Sequence, residues 1–153
     1  MVELARTRCE SLSTLAAPRR VVLHVKAHGQ AKVRGDADRL SQVLDNLLDN
    51  AIRHAPDGST VTVNVQREEN EILCAVSDRG SGIPAQHLPL IFERFYRVDT
   101  SRARHTGGTG LGLAIVHSLV SAQGGRITID SVEGLGTTIT FWLPADENCH
   151  LTA

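Results

Sequence analysis

The chain has 153 residues, with 16 Lys+Arg against 17 Asp+Glu, 41% apolar and 22% charged residues and only 3% aromatic ones. That balance fits one folded domain with a core of Leu, Val, Ile and Ala and excludes disorder or a collagen-like repeat. A formal charge of −1 and so few stacking rings exclude capture of nucleic acid by bulk charge or by an aromatic platform.

Residues 3–16 read as a weakly amphipathic helix ended by Pro18. Residues 20–26 read as a strand with Val21, Leu23 and Val25 on one face. From Asp36 to Arg53, Leu40, Val43, Leu44, Leu47, Leu48, Ala51 and Ile52 recur at helical spacing, with Asp36 or Asp38 as cap and a Pro56-Asp57-Gly58 turn beyond. Residues 59–66 and 71–78 then alternate strictly, the second run placing Ile72, Cys74 and Val76 on one face with Asp78 next in phase. After a polar, Arg- and Gly-rich segment from Tyr96 to Gly108, a second helix over about Gly110–Gln123 is apolar round more than half its circumference and is expected to be well buried. Two more alternating runs, Arg126–Ser131 and Thr137–Leu143, complete the pattern. Such alternation predicts a mostly antiparallel sheet with one wet and one buried face, in an α+β two-layer sandwich.

Several familiar chemistries are ruled out. Fourteen of the basic residues are Arg, the only lysines are Lys26 and Lys32, and no Gly-Lys-Ser/Thr triplet of a P-loop exists. Cys9, Cys74 and Cys149 are far apart and form no C-x-x-C, so neither a disulfide scaffold nor a structural zinc site is expected and a reducing compartment fits best. Residues 105–125 carry no Asp, Glu, Lys or Arg, but six glycines and several polar residues interrupt them, so they make no membrane span.

On the Asp36–Arg53 helix, Asn46, Asn50 and Arg53 fall together beside the apolar arc with His54 close by, while Asp45 and Asp49 fall on the outer side. Two Asn one turn apart fit either a solvated boundary or a pair of amide oxygens for a hard cation such as Mg²⁺, with Arg53 meeting an anion beside it. Asp78-Arg79-Gly80-Ser81-Gly82-Ile83 follows a strand; it fits an Asx turn, or a carboxylate awaiting a purine exocyclic amine, with glycines permitting close approach of a flat ligand. Gly107-Gly108-Thr109-Gly110-Leu111-Gly112 runs into a helix, as a phosphate site would. It lacks both the third glycine and the preceding strand of a dinucleotide fingerprint. Glu133-Gly134-Leu135-Gly136-Thr137 alone is a hairpin turn.

Taken in order, these segments resemble the ATP-binding catalytic domain of sensor histidine kinases, in the GHKL group that also holds gyrase B, MutL and a heat-shock chaperone. Asn46–His54 looks like the N box, Asp78–Gly82 and Gly108–Gly112 the glycine boxes, Ile91–Tyr96 the F box and Gly134–Thr137 the last glycine motif. The resemblance covers about residues 3–145 and implies a Bergerat fold, a mixed sheet with helices on one face and a flexible ATP lid. Carried over, it implies that Asn50 ligates the Mg²⁺ of Mg·ATP with Asn46 in support, that Arg53 contacts phosphate and that His54 lies near the ribose or base. Asp78 would accept from adenine, Gly80, Gly82, Ile83 and Thr137 would line the base, and Arg97 and Arg102 would contact phosphate. Gly108, Thr109, Gly110, Leu111 and Gly112 would hinge the lid and offer backbone donors, with Phe92 and Phe95 anchoring it.

In the hydrolysing members of the group a Glu stands at the place of Asn46, which cannot take a proton. That implies a phosphoryl-transferring kinase; an ATP-hydrolysing switch, an anti-sigma-type serine kinase and a purely nucleotide-binding regulatory module are the other readings. None of the seven histidines lies in a His-Glu/Asp-x-Lys/Arg-x-x-Pro context. Residues 1–153 are therefore expected to be a single catalytic domain in the cytoplasm, without membrane or nucleic-acid contact of its own. Its expected partners are ATP, a histidine-bearing dimerisation domain and a response regulator, the dimerisation, sensor and membrane segments belonging to a longer parent.

Overall fold

The computed structural model describes residues 1–98 and 109–146. Their elements run α1 (Val2–Ala16), β1 (Val22–His28), α2 (Ala37–His54), β2 (Thr60–Glu68), β3 (Glu71–Asp78), α3 (Gly112–Ala122), β4 (Arg126–Val132) and β5 (Gly136–Pro144). Among the described residues the strands form one five-stranded sheet in the order β1-β2-β3-β5-β4. β1 and β2 pair in parallel across the α2 crossover, and the remaining pairs are antiparallel. The expected α+β arrangement with a mixed, mostly antiparallel sheet is thus the observed one. β1 starts at Val22, two residues later than its sequence pattern suggests, because a 3₁₀ turn over Ala17–Arg19 ends in a left-handed Arg20.

The helices cover one face of the sheet. Leu40, Leu44, Leu47 and Leu48 of α2 lock against Val61, Val63 and Val65 of β2, Ile72, Cys74 and Val76 of β3, and Ile139, Phe141 and Leu143 of β5. These are the residues that the 3.6- and 2-residue periods assign to the core. The open face is less wet than alternation predicts, since Leu73, Ala75 and Thr140 on it are also buried. Part of the cover comes from Trp142, the cross-strand neighbour of Leu73. The Arg126 guanidinium lies 4.1 Å from the centre of the Trp142 ring and also donates to Glu71 at 2.6 Å.

Both ends of α2 are pinned by residues far away in the chain. At its start, Asp36 Oδ1 accepts the Asp38 and Arg39 N–H groups at 2.9 and 3.1 Å, and Gln123 Oε1 accepts the Asp36 N–H at 2.9 Å. At its end, the Arg19 guanidinium donates to the carbonyls of Ile52, Arg53 and Ala55 at 2.7–2.8 Å, satisfying acceptors that a helix C-terminus leaves over. Along its side, Arg8 of α1 grips Asp45 with two bonds of 2.7 and 2.9 Å. Asp45 therefore faces α1 rather than the outer side.

α3 departs from expectation. Only Ala114, Val116 and Val120 are buried, while Leu111, Leu113, Ile115 and Leu119 stay half-exposed. α3 packs chiefly on α2 and only lightly on β4 and β5, so one stripe of the helix is covered while His117, Ser118 and Ser121 face outward. Two thiols, Cys9 and Cys74, are free and buried; burial pushes the Cys74 thiol up to about 12, which leaves it protonated and inert.

Phe141 is the largest fully buried side chain and sits at the centre of this interface. Phe141→Ala is expected to lower the unfolding free energy by about 3–5 kcal/mol in urea denaturation; a loss below about 1 kcal/mol contradicts its place in the core.

Candidate functional site

The helix-facing side of the sheet is a ladder of apolar rungs. Val65, Cys74, Phe141 and Ile127 make one, and Val63, Val76, Ile139 and Ile129 the next. The following rung is polar: Asp78, Thr137 and Ser131. Strand alternation puts these three side chains on the same face as the core, where the core ends. Asp78 is only 8% exposed, and its Oδ1 accepts the Gly80 N–H at 2.7 Å. Burial pushes its carboxyl above the usual carboxylate range, against the pull of the Gly80 and Thr137 backbone donors and of nearby His54.

The loop after Asp78 is held by the protein's own backbone. A Cβ at Gly80 would stand 2.3 Å from the His54 carbonyl oxygen, and one at Gly82 2.1 Å from that of Val132. At Gly136 it would stand 2.2 Å from the carbonyl oxygen of Asp78. These glycines let the end of α2 and the β4–β5 hairpin close on both sides of the loop. Gly134 N–H donates to Ser81 O at 2.6 Å, and Ile83 N–H to Ser131 Oγ at 2.8 Å.

The wall opposite Asp78 is α2. Asn46 and Asn50 are half-buried on it, one turn apart. Asn46 Nδ2 donates to Gln42 O at 2.9 Å. Its Oδ1 faces the first residue of α3, 3.1 Å from where a Gly112 Cβ would stand. The N-terminus of an eleven-residue helix is thereby brought beside Asn46.

Such an arrangement, with a buried carboxylate on one side and amides with a helix N-terminus on the other, offers an acceptor for a base amine and donors for an anion. Residues 35–147 match the family described as histidine kinase-, DNA gyrase B-, and HSP90-like ATPase. The chain belongs to this ATPase family. It is similar to the sensor histidine kinase WalK of Bacillus subtilis, 51% identical over 73% of this chain and 19% of the relative. The circadian input-output histidine kinase CikA of Synechococcus elongatus is 40% identical over 92% of this chain and 20% of the relative. The mycobacterial sensor histidine kinase MprB superposes with a TM-score of 0.84 at 31% identity, covering 95% of both chains. ShkA, solved in complex with AMPPNP, superposes with a TM-score of 0.81 at 28% identity over 94% of this chain and 29% of its own. The chain thus spans about a fifth of the length of these curated relatives and is an ATP-binding catalytic domain of the histidine-kinase type.

Of the predicted site residues, Asp78 and Thr137 lie on the polar rung, Ile83 bonds to its Ser131, Gly80 and Gly82 pack against His54 and Val132, and Gly112 lies beside Asn46, with Asn50 one turn further along α2. Arg53 pairs with Asp49 at 2.8 Å, and His54 is exposed beside Asp78. Thr109 Oγ1 accepts the Leu111 N–H at 3.4 Å, where the chain enters α3. Arg97 is half-buried; Arg102 and Gly108 lie outside the described residues. The two Phe differ from each other. Phe92 is half-buried with its ring 5.6 Å from that of His117. Phe95 is 71% exposed, and only its backbone is tied, its N–H donating to Gly110 O at 2.9 Å. Both Phe95 and Gly110 have positive φ, 64° and 72°, which turns the Phe95 ring outward. Arg19 and Ser131, which carry no motif, were invisible to sequence reasoning.

Among the described residues no group of three His, Cys, Asp or Glu could hold a metal by itself. A neutral Asn oxygen suits a hard cation that keeps waters and shares phosphate ligands, so Asn50 fits an ion carried in with a nucleotide.

Because burial raises the folded-state pKa of Asp78 above its unfolded value, the ionised carboxylate costs stability, a cost absent below the unfolded pKa and growing as pH rises through the folded one. Asp78→Asn is expected to raise the melting temperature of the nucleotide-free domain at neutral pH, with the gain fading as pH falls into the ordinary carboxylate range. A lower melting temperature at neutral pH contradicts this.

Proposed function

We propose that this domain binds Mg·ATP between α2 and the polar rung and donates the γ-phosphoryl group to a histidine outside residues 1–153, on a dimerisation domain, for onward transfer to a response-regulator aspartate. The observation that carries this reading is Asp78: a buried carboxylate at the end of an apolar sheet face, held by backbone N–H groups with His54 nearby. A purine amine is a donor that would offset its desolvation. Asn50, supported by Asn46, would hold the Mg²⁺, whose role is to neutralise charge building on the phosphates. The α3 N-terminus, Arg53 and the lid arginines Arg97 and Arg102 would meet the phosphate oxygens.

In the transfer step an imidazole nitrogen forms a bond to the γ-phosphorus while the bond to the β–γ bridging oxygen breaks and ADP leaves. Hydrolysis would need a base to activate water. Asn46 cannot be one, and the two α2 carboxylates in the turns next to it are engaged, Asp45 by Arg8 and Asp49 by Arg53. That favours transfer to an external imidazole over an ATP-hydrolysing switch.

The exposed flank of α3 suits the docking partner. Arg94, Phe95, Leu111, Ala114, Ile115, Ser118 and Leu119 line a groove of approximately 440 Å³ beside the phosphate end of the cleft. An apolar helix face of the histidine-bearing domain would fill it and bring the imidazole to the γ-phosphate.

Calorimetry is expected to give Mg-dependent ATP binding. Asp78→Asn should weaken it by about 1.5–3 kcal/mol, the range for a hydrogen bond to a charged group, or roughly ten- to a hundredfold. Asn50→Ala should make affinity insensitive to Mg²⁺. Unchanged ATP affinity in the Asp78 variant overturns the assignment. For docking, Ile115→Asp should leave ATP affinity within about twofold and cut phosphorylation of an added histidine-bearing domain by about tenfold or more; equal phosphorylation of that domain by both proteins places the partner elsewhere.

A further inference from the structure

The five-stranded sheet has two outer strands, and the fold treats them differently. β4 is packed by α3 and by the 3₁₀ turn over Ala85–Leu90, and its Ser131 Oγ accepts the Ile83 N–H at 2.8 Å. β1 pairs with β2 alone. Val22 N–H donates to Ser59 O at 2.9 Å, so Val22 and, at the two-residue period, His24, Lys26 and His28 turn their backbone groups toward β2. Leu23, Val25 and Ala27 turn theirs outward, and among the described residues those groups have no backbone partner. The side chains alternate as well. Leu23 and Val25 pack on the core, and His24, Lys26 and His28 are exposed on the opposite face.

Charge decides what such an edge accepts. Residues 11–35 contain no Asp or Glu but hold Arg19, Arg20, Lys26, Lys32 and Arg34, besides His24 and His28. Arg19 is engaged by the end of α2 and by Asp57. Arg20, Lys26, Lys32 and Arg34 are exposed and form no ion pair among the described residues. The β2 residues beside His24, Lys26 and His28 are Thr62, Asn64 and Gln66, so the sheet supplies no neutralising charge there. The overall charge of −1 thus conceals a basic edge. Two such edges brought together would set like charges opposite one another, which opposes pairing with a second copy. At the start of the strand, Cys9 and Glu10 of α1 with Val21, Val22 and Leu23 border a hollow of approximately 360 Å³. Glu10 makes that hollow a place for an apolar side chain rather than an acidic one.

We propose that the outer edge of β1 docks an extended, acidic segment of a partner protein, which joins the sheet as a sixth strand. Its backbone would pair with the outward groups of Leu23, Val25 and Ala27, and its side chains would alternate between the two faces. Asp or Glu would stand beside His24, Lys26 and His28, because cross-strand neighbours share a face. The residues between them would be apolar, one of them entering the hollow against α1. β2 separates this edge from the polar rung, so the proposal does not rest on the nucleotide reading.

The probe is a blocked peptide of alternating Glu and Val, about eight residues long, added to the 153-residue protein at neutral pH and about 1 mM, where a millimolar site is half filled. Amide exchange at Leu23, Val25 and Ala27 is expected to slow by about twofold or more, and a peptide of alternating Lys and Val should leave it unchanged. Lys26→Glu should weaken binding of the acidic peptide by about threefold or more, since repulsion replaces attraction at that pair. Ala27→Pro, which removes one outward N–H and no charge at an edge position that tolerates proline, should weaken it by a similar factor of about three. Both substitutions should leave ATP affinity unchanged. Exchange unaltered at the three amides overturns the proposal, and so does equal binding of a peptide with the same Glu and Val residues in two separate blocks, which would respond to charge alone. Protection that grows with protein concentration and needs no peptide assigns the edge to a second copy. Binding to phosphatidylserine vesicles that Lys26→Glu abolishes, with no peptide effect, assigns it to a membrane surface. Either of these results also overturns the proposal.

Discussion

A charged group set at the margin of an apolar sheet face governs the rest of this molecule. Asp78 continues the inward phase of Ile72, Cys74 and Val76, so the alternation that builds the core also carries a carboxylate into a place where water is scarce. Its desolvation is only partly offset by the backbone donors of Gly80 and Thr137. The domain thus holds a buried polar group only partly satisfied by its protein partners. That is the relation expected of the proposed binding site: a feature suited to recognising a ligand costs the empty fold something.

Around that carboxylate the backbone closes tightly. His54, Val132 and Asp78 supply the carbonyl oxygens that a side chain at Gly80, Gly82 or Gly136 would strike. The glycine motifs therefore first serve the protein, joining the end of α2 to the β4–β5 hairpin through the loop between them. The polar rung is the inner edge of that junction, and its hydrogen bonds run from Ile83 through Ser131 to Gly136 and Thr137.

Much of this was legible in the residue pattern. α2 was visible because seven apolar residues keep a 3.6 period over eighteen positions, and every one of them is buried. Asp78 was visible because it keeps a period of two with a buried strand. α3 misled because hydrophobicity round a helix says what could be covered, not how much neighbouring surface exists to cover it. Arg8 and Arg19 left no trace because their partners lie 37 and 33 or more residues away, and Ser131's bond to the loop after Asp78 spans 48. Phe95 misled for a backbone reason, a left-handed φ that an aromatic residue does not announce.

The two ends of α2 are tied to Arg19 on one side and Gln123 on the other, so segments near opposite ends of the described chain meet at a single helix. Such ties have high contact order and close only after the intervening loops have paid their entropy. The helix that carries the amide pair is thus fixed in place at both ends only by long-range contacts. Competence to hold a nucleotide arrives with the cooperative transition as a whole, and refolding followed by ligand capture reports the last step of assembly rather than an early one.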